Sequence, residues 1–237
     1  NRFKDRLDRY GLCPGQAFDL KLGHDLTSAG MRQEVRRYVQ QMKPGLVIIS
    51  PPCTLFSLLQ NLTKRSPDPE TNPGFLRKLI EAKVLLRFGI EIAFEVLKYG
   101  GSFLFEHPLT SRAWMDVLMQ KLIQRPEVHM AACDQCQYGL RAQSGALHRK
   151  PTGFLSNNPA ILEQLVQRCD GTHLHEPILG SDRGGPRSQQ AQHYPPRLVE
   201  AILKGYKKSL GTPMTLLWTD VNELRRDHDR LHGIYEE

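Results

Sequence analysis

At 237 residues the chain is long enough to bury a sizeable core, and 40% hydrophobic against 24% charged residues is an ordinary globular balance. A formal charge of +7 favours a polyanionic partner. No stretch approaches the ~20 apolar residues of a membrane span, no signal peptide is visible, and five cysteines cannot all pair. A reduced intracellular compartment is therefore expected, nuclear if the source is eukaryotic.

In chain order, "GQAFDL" (15–20) reads as a short strand and "MRQEVRRYVQQM" (31–42) as an amphipathic helix closed by Lys43-Pro44-Gly45. "LVIIS" (46–50) is a continuous apolar run of the kind buried on both faces of a sheet. Pro51 and Pro52 fix the backbone and remove two donors, so the strand stops there and a stiff loop presents Cys53, Thr54 and Ser57. Residues 61–74 are polar and loop-like. A long helix is expected over 75–99, with Leu79, Ala82, Leu86, Ile90, Phe94 and Leu97 at helical spacing and Gly100-Gly101 as its stop.

A second apolar strand, "SFLFEHP" (102–108), again ends at a polar residue and a proline. A helix over 111–124, strands near 128–133 and 152–156, and helices near 158–167 and 196–208 continue the alternation. "GSDRGGPRSQQ" (180–190) reads as a loop and 220–232 as a closing helix. Regular alternation of strand and helix predicts a parallel sheet covered by helices, with ligands beyond the carboxyl ends of the strands. "SPPC" and "FEHP" both lie at such ends.

A cysteine and a glutamate so placed suit covalent chemistry on an electron-poor ring. A thiolate adds to C6 of a pyrimidine and makes C5 nucleophilic, while a carboxyl polarises the N3 side. Cys53 and Glu106 meet those two needs; the plain alternatives are an inert thiol and a capping acid.

The order Pro-Pro-Cys, strand–Glu–x–Pro, then "YGLRAQSGALHRKPTGFLSN" resembles the cytosine-C5 DNA methyltransferase family, in its divergent viral and retroelement forms. The resemblance runs from Ala17 to Leu203 and includes "AQHYPPRLVEAI". It implies a Rossmann-like, S-adenosylmethionine-dependent fold with a mostly parallel sheet and helices on both faces. It also implies double-stranded DNA as partner, with the target base flipped out. Cys53 is then the nucleophile, Glu106 the base-polarising acid, and Arg149 with Lys150 the basic partner. Asp19, Asp25 and Pro51 are then the cofactor-binding residues. Residues 1–210 form the methyltransferase-like domain, 156–190 a reduced target-recognition and zinc segment, and 211–237 a tail helix.

The chain departs from the family in three places. His107 stands where the family has Asn. The Gly-rich turn that holds the methionine end of the cofactor is expected upstream of Asn1, together with the first strand. The large target-recognition domain has only 156–190 in its place. Two other readings therefore stay open: a non-catalytic nucleic-acid-binding relic, and an amino-methyltransferase, because "SPP" resembles the loop that binds an exocyclic amine.

"CDQC" (133–136) and "CDGTHLH" (169–175) offer sulfur and imidazole ligands for a tetrahedral zinc site. Cys136, Cys169, His173 and His175 are the preferred set, with Cys133 as substitute. Similar retroelement sequences carry such a Cys-x-x-x-His-x-His. The plain alternative is reduced cysteines and surface histidines.

Overall fold

The computed structural model describes residues 3–56, 72–182 and 184–211. Ser57, most of the polar 61–74 loop and the helix expected at 220–232 lie outside these residues. The elements in chain order are α1 (Lys4–Leu7), α2 (Ala29–Met42), β1 (Leu46–Ile49), α3 (Pro73–Lys98), β2 (Ser102–Pro108), α4 (Val117–Ile123) and β3 (His129–Asp134). They continue with β4 (Pro151–Ser156), α5 (Pro159–Leu162), β5 (Ser181–Asp182), β6 (Gly185–Pro186), α6 (Arg187–Gln190) and α7 (Pro196–Leu210). The chain divides into two compact units, Gly15–Val128 and Asn1–Pro14 with His129–Glu237.

In the unit Gly15–Val128, β1 and β2 pair in parallel, Leu46 opposite Ser102 and Ile49 opposite Phe105. Parallel neighbours need a long crossover, and α3 supplies it. Asn72 caps α3 by accepting from the Phe75 amide at 3.0 Å, Pro73 opens its first turn, and Gly100 ends it at φ 76°. The helix buries Ala82, Leu86, Ile90 and Ala93, but also Phe88, Ile92 and Val96. Its covered face is thus wider than the single stripe the spacing predicts, and Phe94 and Leu97 are only half-buried. Gly89 lets α3 approach the strands: a Cβ there would lie 2.8 Å from Ile49 Cγ2.

Two expectations fail in this unit. Residues 15–20 form no strand. Among the described residues they find no ladder partner, and side-chain contacts hold them instead: the Gln16 amide donates to Tyr38 Oη at 2.9 Å, and Phe18 packs edge-on to Tyr38 and His24. The helix expected over 111–124 is broken into a 3-10 turn (Arg112–Met115) and α4, because the Asp116 carboxylate caps the Leu118 amide at 2.9 Å. Trp114 belongs to the core, its Nε1 donating to the Pro108 carbonyl at 2.9 Å.

In the other unit β3 and β4 are antiparallel, with His129 opposite Ser156 and Asp134 opposite Pro151. The described pairing is therefore mixed, not mostly parallel. The physical cause is the connection: residues 135–150 hold a 3-10 turn and an Arg141–Leu147 bridge but no crossover helix, so the chain returns in the opposite direction. The helix expected over 158–167 shrinks to α5. Beyond Leu162 the Gln164 and Leu165 amides bond to the Ile161 and Leu162 carbonyls three residues back, at 3.1 and 2.8 Å, so the α-helical ladder stops. The free Gln164 and Gln167 carbonyls accept from Tyr138 Oη at 2.6 Å and from the Asp134 amide at 2.9 Å. α7 packs on α5 through Gly205, where a Cβ would meet Ala160 O at 2.5 Å. The 180–190 segment, expected as loop, holds the β5–β6 hairpin and α6.

Candidate functional site

The parallel register of β1 and β2 brings their carboxyl ends to one edge. Glu106 follows Phe105 directly and is buried; Cys53 stands four residues beyond Ile49 and is half-exposed, with Pro51 half-exposed before it. A 3-10 turn, Thr54–Phe56, follows the cysteine, and the Phe56 amide donates to the Cys53 carbonyl at 3.0 Å. That turn is fastened to the exit of β2. The Phe56 ring sits edge-on to His107 at 5.8 Å, and Ser111 Oγ donates to the Phe56 carbonyl at 3.4 Å. The residue where the resembled family has Asn thus holds the cysteine loop by ring packing.

Asp19 and Asp25, the expected cofactor acids, are both exposed and engaged in their own turns. Asp19 accepts from the Lys21 amide at 2.7 Å. Asp25 accepts from the Thr27 hydroxyl at 2.7 Å and amide at 2.9 Å, and these bonds hold its carboxyl below the usual range. With no strand at 15–20, Asp19 is not the strand-end carboxylate that a ribose would meet. These side chains do not by themselves fit S-adenosylmethionine.

The sulfur and imidazole residues do converge. Cys136 Sγ, Cys169 Sγ and the ring nitrogens of His173 and His175 lie within 4.8 Å of one another. Cys136 comes from the buried 3-10 turn that follows β3. The other three come from one short segment. Cys169 Sγ is 3.6 Å from His173 Nε2 and 3.4 Å from His175 Nε2. A tetrahedral ion with ordinary zinc–sulfur and zinc–nitrogen bond lengths sets such atoms about 3.6 Å apart. Cys133, the substitute ligand, is buried in β3 opposite Thr152 and is not in the set.

The turn that carries the ligands is built for sharp reversal. Asp170 accepts from the Thr172 amide and hydroxyl at 3.1 and 2.8 Å, and Gly171 adopts φ 77°. The Gly171 amide points at Cys169 Sγ, 3.4 Å away, the donor a metal-bound sulfur accepts. Burial pushes the Cys136 thiol up to about 11, with the Cys169 sulfur and Asp134 adding to it. Loading such a site releases that proton. His175 is fixed by a bridge to Leu147, and the Glu176 amide donates to the Leu147 carbonyl at 2.9 Å. His148, buried beside them, bonds the Glu176 carbonyl through Nδ1 at 2.7 Å.

Sequence reasoning missed Asp134, which ends β3 with no exposed surface. Burial alone would raise its carboxyl; the Cys169 amide, Arg168 and Arg149 outweigh that and hold it below the usual range. Arg149, expected as a catalytic partner, lies on this carboxylate at 3.4 Å, and the Lys150 carbonyl accepts from the Gln135 amide at 3.1 Å. The only signal was an acid between two cysteines in "CDQC". Among the described residues no helix is long and apolar enough to cross a membrane. No family model, no curated protein and no solved structure matches the chain.

Proposed function

We propose that this chain acts on cytosine in DNA through Cys53, in the manner of a cytosine-C5 methyltransferase. The observation that carries the reading is the shared carboxyl edge of β1 and β2, which holds Cys53 and Glu106 with the cysteine loop tied to the exit of β2. The Cys53 thiolate gives its electron pair to C6, and the C5–C6 π pair moves to C5. Glu106 polarises the N3 side as that charge develops. A bound methyl donor would supply the methyl group to C5 and leave as its thioether; loss of the C5 proton to a base would then expel the Cys53 thiolate and restore the ring. S-adenosylmethionine is the methyl donor this reading requires.

An oligonucleotide carrying 5-fluorocytosine tests it in the presence of that donor. Fluorine cannot leave as a proton does, so a C6-attacking thiolate stays bound and mass spectrometry reads the adduct. We expect the adduct in wild type and none in Cys53→Ser. No adduct in wild type would favour a nucleic-acid-binding protein without catalysis, the reading that the turn-bound Asp19 and Asp25 support.

Cys136, Cys169, His173 and His175 hold zinc in the same reading. Two thiolates and two imidazoles form a closed ligand set with no position left for substrate, so the ion is structural. Metal analysis of purified protein should return about one zinc per chain.

A further inference from the structure

We propose that Arg149 and Arg168, held side by side on the buried Asp134 carboxylate, form a clamp for one phosphodiester group of a DNA strand. Arg168 Nε donates to Asp134 Oδ2 at 2.9 Å and Arg149 Nε to Oδ1 at 3.4 Å. The Cys169 amide also donates to Oδ2 at 2.9 Å, so the carboxylate is anchored to the ligand-bearing turn. Asp134 has no exposed surface, whereas the arginine side chains are 41% and 50% exposed for Arg168 and Arg149. A guanidinium has donors on all three nitrogens. Here only Nε of each is engaged, and among the described residues the Nη groups of both have no partner.

Two positive groups meet one negative group, so one positive charge is left uncompensated. Two guanidiniums on one carboxylate also repel each other at short range. An anion on the open side relieves both conditions. A phosphodiester has two non-bridging oxygens, one for each guanidinium, and arginine forks suit that group. The choice of DNA rests on the reading of Cys53 above and on the +7 charge of the chain. Arg168 lies outside every motif that suggested that reading.

The test is the salt dependence of binding to a short DNA duplex, read by fluorescence anisotropy. Removing one phosphate-neutralising group lowers the log–log salt slope by about 0.9, so Arg149→Gln and Arg168→Gln should each lose about threefold less affinity between about 50 and about 200 mM salt than wild type loses. Arg168→Lys keeps the charge and should keep the slope. Should Arg168→Gln disturb the ligand turn, seen as absent zinc, Arg149→Gln alone carries the test. Unchanged slopes in folded, zinc-bearing variants overturn the clamp and leave an ordinary ion pair. Absence of DNA binding by wild type overturns it too. Inorganic phosphate that raises the melting temperature of wild type but not of the variants, with DNA slopes unchanged, assigns the site to free phosphate and overturns the DNA clamp. An altered slope without any 5-fluorocytosine adduct removes the role of Cys53 and leaves the clamp standing.

Discussion

Cys133 and Asp134 are adjacent in β3 and have opposite roles. Cys133 packs in the core opposite Thr152, away from the ligand set. Cys133→Ala should therefore leave metal content at wild-type level and cost about 1 kcal/mol of stability, because a buried sulfur gives way to a small void; absence of metal in a folded variant would return Cys133 to the site. Asp134 holds the Cys169 amide and two guanidiniums. Asp134→Asn keeps the size but removes the charge and turns an amide N–H₂ toward donors. Zinc affinity, read by chelator competition, should fall about 10-fold or more, as for other groups that orient metal ligands. The ligand residues were legible because "CDGTHLH" concentrates three of them in one short stretch. The carboxylate was not, because its partners Arg149, Arg168 and Cys169 are brought to it only by folding.

Elements were legible where pattern and partner coincide. β2 and the body of α3 were read closely because an apolar run with a helical crossover has one good use, a parallel strand pair. The 15–20 segment has an apolar pattern without a ladder, and α5 stops early because the Gln164 and Leu165 amides bond three residues back instead of four. Neither cause is visible in a local window of sequence. Close approach of elements has a sharper consequence at glycine. In α7, Gly205→Ala puts a methyl group 2.5 Å from Ala160 O and 2.6 Å from Ile161 Cα, both backbone atoms that move only with the helix. It should cost about 2 kcal/mol despite the better helix propensity of alanine. Gly30→Ala in α2 meets nothing closer than Ser28 Oγ at 3.7 Å and should stabilise by about 0.5 kcal/mol. Denaturant midpoints for the two variants should move in opposite directions; a shift of the same sign would refute the packing argument.

At the scale of the molecule, the ligand cluster joins a sheet to a stretch with little order of its own. Residues 166–180 contain no helix or strand, only the bridge between Leu147 and His175. Cys136 lies at the end of β3, so an ion that also binds Cys169, His173 and His175 closes a loop across sequence and fixes that stretch onto the sheet. Loop closure costs entropy, and a bound metal would supply the offset, which would make its binding energy folding energy. At free zinc about 1,000-fold above the dissociation constant, the bound ion contributes about 4 kcal/mol. A strong chelator should lower the melting temperature by the corresponding amount and speed exchange of the Cys169, Gly171 and Glu176 amides, which bond to Asp134 Oδ2, Cys169 Sγ and the Leu147 carbonyl. Cys136→Ser removes one ligand from the sheet side and should cause a similar loss. Chelator added to that variant should then do little more, because both act on one interaction and their effects do not add. Full additivity would mean that Cys136 stabilises the chain through packing alone and that the metal, if bound, is held by the 169–175 segment without it.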